Sequence, residues 1–145
     1  MQLQARSVYQ QGEILEADAT RLIILLYRGA LEAIGRARDH QIKGEIRLRA
    51  HQVTRAFEII AELAGAVDRE KGAELALRLL QLYDYMQQQL NRANAEQTIE
   101  PLAEVETLLR GLLEAWEGAR AQLGAAQLAA PVAYATERKP LRCSA

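Results

Sequence analysis

The spacing of apolar residues constrains this chain more than any other feature, because long stretches repeat them every three or four positions between short polar breaks. One series runs Ile46, Ala50, Val53, Phe57, Ile60, Ala64 and Val67. Another runs Leu102, Val105, Leu109, Leu112, Trp116, Ala119 and Leu123, with Glu106, Arg110, Glu114 and Glu117 stacked on the opposite side. Alternating steps of three and four return to one face of an α-helix, so each series predicts a helix with one buried stripe. A first helix is expected over about 19–42, with Asp18 as N-cap and Lys43-Gly44-Glu45 ending it, since glycine commonly follows a helix C-terminus. A second covers about 46–67 and stops at the polar break Asp68 to Gly72; a third covers about 73–93. The fourth opens near Pro101, whose missing N–H is harmless in a first turn, and continues to about 123. Connections this short between long helices join antiparallel neighbours. The expected fold is all-α, an antiparallel up-down four-helix bundle over residues 18–123.

Two segments fall outside that pattern. Residues 1–17 carry Leu3, Val8, Tyr9, Ile14 and Leu15 without helical spacing and are expected to pack on the bundle as an apolar segment. Residues 124–145 are rich in Ala and Gln, then broken by Pro131 and Pro140, and are expected to be a disordered tail.

The first and third helices carry more apolar surface than one stripe requires. A helix turns about 100° per residue, so direction follows from position. Measured from Arg78, the third helix places Leu75, Leu79, Leu82, Tyr83, Met86, Leu90 and Ala93 within about 40° to 140°. Leu77 and Tyr85 point instead into the polar face of Arg78, Gln81 and Asp84, and Leu80 sits at its border. In the first helix the stripe is Leu22, Ile23, Leu26, Ala30, Ala33, Ile34 and Ala37. Leu25 points into its charged side, while Ile24 and Leu31 flank the core. Single exposed leucines are ordinary, but their recurrence on two helices indicates a surface that something covers. The candidate covers are the N-terminal segment, a second copy forming a homodimer, or a partner helix laid in a groove.

No catalytic constellation accompanies this surface. His40 and His51 stand alone, and there is no Glu-x-x-His, Cys-x-x-Cys, Gly-x-x-x-x-Gly-Lys or Gly-x-Ser-x-Gly. Gly29 and Gly35 lie inside the first helix, away from any helix N-terminus, and suggest close approach of a neighbouring helix rather than phosphate binding. The chain is therefore not expected to be an enzyme or to bind a cofactor or metal. With 18 Lys and Arg against 19 Asp and Glu, it offers no general attraction for nucleic acid or an anionic membrane. Its longest apolar run, Leu22 to Tyr27, is far short of the ~20 residues of a membrane span, so no insertion is expected. The lone Cys143 and the absence of a signal-peptide pattern over Met1 to Glu13 suit the cytoplasm.

Leu82-Tyr83-Asp84-Tyr85-Met86, followed by Leu90, Ala93 and Asn94, resembles the signature third helix of the FliS flagellin-export chaperones. Leu25-Leu26-Tyr27-Arg28-Gly29-Ala30-Leu31 resembles their first helix, and Leu108 to Trp116 their fourth. Tyr9-Gln10-Gln11 with Ile14 and Leu15 is similar to their N-terminal segment. The likeness spans about residues 7–122. It departs at Ala17-Asp18-Ala19, where relatives usually open the helix with Ser-Pro, and at Arg28, where they carry aspartate. The resemblance implies a cytoplasmic export chaperone with two partners, the disordered C-terminal region of flagellin and the flagellar type III export apparatus. It implies that flagellin folds into helices along apolar grooves and is kept from polymerising early. It also implies that the N-terminal segment lies over part of the groove. The partner-binding residues expected are then Leu25, Leu77, Leu80 and Tyr85 from the facing pattern. Tyr27, Tyr83 and Asn94 come from the motifs, and Tyr9, Ile14 and Leu15 from the covering segment.

Overall fold

The computed structural model of the chain describes the backbone of residues 2–143 and the side chains of residue 11 and residues 15–122. It contains α1 (Gln2–Ile42), α2 (Ile46–Gly65), α3 (Ala73–Glu96) and α4 (Glu100–Cys143), with no strand among the described residues. Each helix packs on two others in a ring: α1 on α2 and α4, and α3 on α2 and α4. Three-residue turns join α1 to α2 and α3 to α4, so successive helices run antiparallel. Gly44 and Gly72, at the ends of α1 and the start of α3, adopt positive φ of 72° and 76°, which glycine allows without a Cβ clash. Pro101 is buried in the first turn of α4, as its ring geometry predicts.

The core is a column through the ring. Ile34, Val53, Ile60, Met86, Leu90, Leu102, Val105 and Leu109 fill it, joined by Ala30, Ala33, Ala37, Ala56 and Ala93. Large residues reach the centre from all four helices. The alanines are as fully buried as the large residues, and a reading that weights large side chains passes over them. This explains a rotation of the expected α2 stripe. Its buried line is Arg49, Val53, Ala56, Ile60 and Leu63, while Ile46 is exposed and Ala50, Phe57, Ala64 and Val67 are half-buried. On α1, Ile24 and Tyr27 are buried where Leu22 was expected, and on α3 Ala76 is buried where Leu75 was expected.

One end of the ring is locked by a buried cation. Arg49 is only 3% exposed and has no carboxylate partner among the described residues. Its guanidinium donates to Gln41 Oε1 at 2.8 Å and to the main-chain oxygen of Asn94 at 3.4 Å. Gln41 in turn donates to the main-chain oxygen of Gln97 at 2.6 Å. The last carbonyls of α3 carry partial negative charge and lack helical partners, so they balance the guanidinium. The α1–α2 and α3–α4 turns are thereby tied together.

Three differences from the expected layout follow from helix length. α1 starts at Gln2 rather than near Ala19, so Asp18 lies inside it and the backbone of residues 2–18 continues α1 instead of forming a separate segment. Gln, Ala, Leu, Arg and Glu are good helix formers, and propensity alone permits this without a buried stripe. α4 passes Leu123 and its backbone is helical to Cys143; the expected tail disorder concerns residues whose side chains lie outside those described. Gly29 faces Ile59 of α2, six residues before α2 ends at Gly65. Counting six back from Gly29, α1 loses its α2 neighbour near Ile23. Leu22 is consequently 58% exposed and Leu15 also faces solvent, although both continue the inward side of α1.

Candidate partner-binding surfaces

Leu25 projects from the outer face of α1 and is 51% exposed. On one flank Arg28 Nη2 bonds Glu117 Oε1 of α4 at 3.0 Å and braces the α1–α4 seam. On the other flank is Gly29, where an added Cβ would stand 3.5 Å from Ile59 Cδ1, an ordinary contact distance. Close approach therefore fits Gly29. It does not explain Gly35, which has nothing within 4 Å of the Cβ position.

The second surface lies on α3. Leu77 is 56% exposed and Tyr85 38% exposed, as their direction into the polar face predicts, and Leu80 is half-buried. The Tyr85 hydroxyl donates to Glu104 Oε1 across the α3–α4 seam. That bond, more than partial burial, raises the phenol above its usual pKa. Around it, Arg78 pairs with Glu74 at 2.8 Å and Gln88 with Asp84 at 2.9 Å, leaving the apolar side chains framed by satisfied polar ones.

These surfaces do not form one groove between helices one and three. α1 and α3 occupy opposite corners of the ring, and their backbones are not neighbours, although Tyr27 and Tyr83 meet across the core. Neighbouring helix axes lie ~8–10 Å apart, so the diagonal pair is separated by roughly 11–14 Å before outward side chains are added. Leu25 and the Leu77–Tyr85 pair face away from each other.

Tyr27 and Tyr83 lie inside the bundle rather than on either surface. Both are fully or almost fully buried, and their hydroxyls hydrogen-bond to each other across the core. Burial is the main cause pushing both phenols above their usual range. For Tyr27 the bonds from Tyr83 and Trp116 act in the opposite direction. A partner cannot reach either ring without opening the bundle. Asn94 belongs to the Arg49 lock, half-buried, with its side-chain oxygen enclosed. Leu15 is exposed, while the side chains of Tyr9 and Ile14 lie outside those described.

The sequence reading missed other exposed aliphatics. Leu22 and Leu75 lie near the α2–α3 connection, where Lys71 Nζ stands 3.6 Å from Glu16 Oε1. Ile42, Ile46 and Leu48 surround the α1–α2 turn. Among the described residues no cluster of three His, Cys, Asp or Glu side chains could hold a metal, and no helix is long and apolar enough to cross a membrane. Both surfaces present apolar side chains to solvent beside paired polar ones.

The family described as Flagellar protein FliS matches this chain over residues 1–123. The flagellar secretion chaperone FliS of Salmonella typhimurium is 35% identical over 108 residues, covering 74% of this chain and 80% of that protein. The flagellar secretion chaperone FliSB of Pseudomonas aeruginosa is 35% identical over 120 residues, covering 80% and 95%. The FliS protein of Campylobacter jejuni is 36% identical over 112 residues, covering 77% and 88%.

Proposed function

Because this chain belongs to the FliS family of flagellar secretion chaperones, we propose that it binds the disordered C-terminal region of flagellin in the cytoplasm. In this reading it prevents premature polymerisation and hands the subunit to the flagellar type III export apparatus. The supporting observation is the pair of apolar surfaces at opposite corners, Leu25 on α1 and Leu77 with Tyr85 on α3. A single helix is ~10–12 Å across and cannot cover both. A partner that engages both has at least two helical segments joined by flexible chain and wraps the bundle. A disordered region that folds on binding can do this, because ordering at the moment of contact lets it follow a large curved surface. Leu80 supports the α3 surface, and Tyr9, Ile14 and Leu15 contribute from the start of α1. Holding and release require no chemical step, consistent with a non-enzymatic role.

The experiment is calorimetry of the full chain with a peptide of flagellin's C-terminal region. Binding with a negative heat-capacity change is expected, since apolar surface is buried and the peptide folds. No binding by the parent protein overturns the proposal. A stable dimer in light scattering that buries Leu25, Leu77 and Tyr85 replaces it with a homodimer reading.

A further inference from the structure

Tyr85 differs from Leu25 and Leu77 in being held by another helix. Its hydroxyl donates to Glu104 Oε1 on α4, and no other side chain among the described residues donates to that carboxylate. The nearby cation Arg92 is occupied by Glu96, with Nε 3.1 Å from each carboxylate oxygen. Glu104 itself is exposed and takes part in no ion pair among the described residues. Its geometry is therefore spent on one task, drawing the Tyr85 ring over the α3–α4 seam. An exposed tyrosine without such a bond distributes itself over several rotamers. Fixing it at the moment of binding would cost conformational entropy.

We infer that Glu104 is a positioning residue for partner binding, holding the Tyr85 ring in its docking orientation before the partner arrives. This rests on the reading of Tyr85 as a docking residue. From sequence alone Glu104 looks like one more solvated acid on the outer face of α4. A phenol bonded to a carboxylate also keeps its proton above the ordinary tyrosine range, so the hold persists through neutral pH.

The test is calorimetry of full-length variants with the flagellin C-terminal peptide, together with thermal melting. Glu104→Ala and Tyr85→Phe should each weaken binding roughly three- to tenfold, the range for one hydrogen bond of ordinary strength. The double variant should be no weaker than either single one, and Glu104→Gln, which keeps an acceptor, should bind like the parent. Melting temperatures should stay together, because both side chains are exposed. Parent-like binding by Glu104→Ala while Tyr85→Ala binds poorly overturns the inference and leaves the docking site standing. Additive losses, or Glu104→Gln as weak as Glu104→Ala, also overturn it, because the carboxylate would then act on the partner directly. Parent-like binding by Tyr85→Ala removes the docking reading itself.

Discussion

The hydroxyl pair of Tyr27 and Tyr83 permits a sharp test of how the core is closed. Replacing Tyr27 with Phe keeps the ring volume but leaves the Tyr83 hydroxyl buried without its partner. An unsatisfied buried polar group costs about 1–3 kcal/mol, which is a large fraction of the ~5–15 kcal/mol of a typical domain. Replacing both residues with Phe removes both hydroxyls, so the stranded group disappears and the loss should shrink. Trp116 lies near enough to the Tyr27 hydroxyl to lower its pKa but is only partly buried, so water can take its place. Urea unfolding followed by the fluorescence of Trp116, the single tryptophan, measures all three variants. The pair also implies a pH signature. Both phenols are raised above 10.0 in the folded state, so folding retains their protons more tightly than the unfolded chain does. Their contribution is complete below about pH 10 and is lost as pH rises above it. The double Phe variant should show a flatter alkaline limb. If Tyr27→Phe costs under about 0.5 kcal/mol and the double variant costs more than the single one, the hydroxyls are not a dry coupled pair and the reasoning fails.

Three further outcomes are expected. Leu25→Ser and Leu77→Ser should each weaken the flagellin peptide without much effect on melting; their binding losses should add within about 0.5 kcal/mol, because the sites lie at opposite corners. Strong coupling between them would mean that the two sites act as one surface. Gly35→Ala should stabilise the chain by about 0.5–1 kcal/mol, since nothing stands within 4 Å of the added Cβ and alanine is the better helix former; a loss in a thermal melt would mean that a neighbour is closer. Glu106, bonded to Arg110 at 2.8 Å and also to Arg38 of α1, has its pKa lowered from 4.5 chiefly by Arg110. Its contribution is present above pH 4.5 and lost as pH falls below it, so Glu106→Gln should flatten the acid limb of stability and cost about 1 kcal/mol at neutral pH. An unchanged acid limb would show that the bridge contributes nothing.

Helix directions were legible because they are local. Leu25, Leu77 and Tyr85 sit among charged neighbours at helical spacing, and all three emerge exposed. The turns at Gly44 and Pro101 were legible for the same reason, since each depends on the backbone preference of one residue. Tyr27 and Tyr83 were not, because their role exists only once α1 and α3 are brought together, and a tyrosine-rich motif looks equally suited to a surface. Arg49 was hidden more thoroughly. A charged residue one position before Ala50 pulls the apparent α2 stripe toward Ile46, and nothing nearby in sequence reveals that the C-terminal turn of α3 will balance its charge.

How the two exposed surfaces relate follows from ring order, and that order was available in principle. Short connections make sequential helices neighbours, so in a ring of four the first and third must be diagonal. Their outward residues therefore make two surfaces rather than one. The diagonal arrangement changes the function it supports. A groove selects a partner by the shape of one helix, whereas under the proposed function two opposed patches would select for a chain that can reach both. Each patch alone is small: one leucine at one corner, and a leucine and a tethered tyrosine at the other. Weak contacts linked by flexible chain combine through effective concentration, provided the linker spans the bundle. A long disordered segment would then be held firmly, while either half could detach without losing the other, which is the behaviour a carrier needs at the point of release.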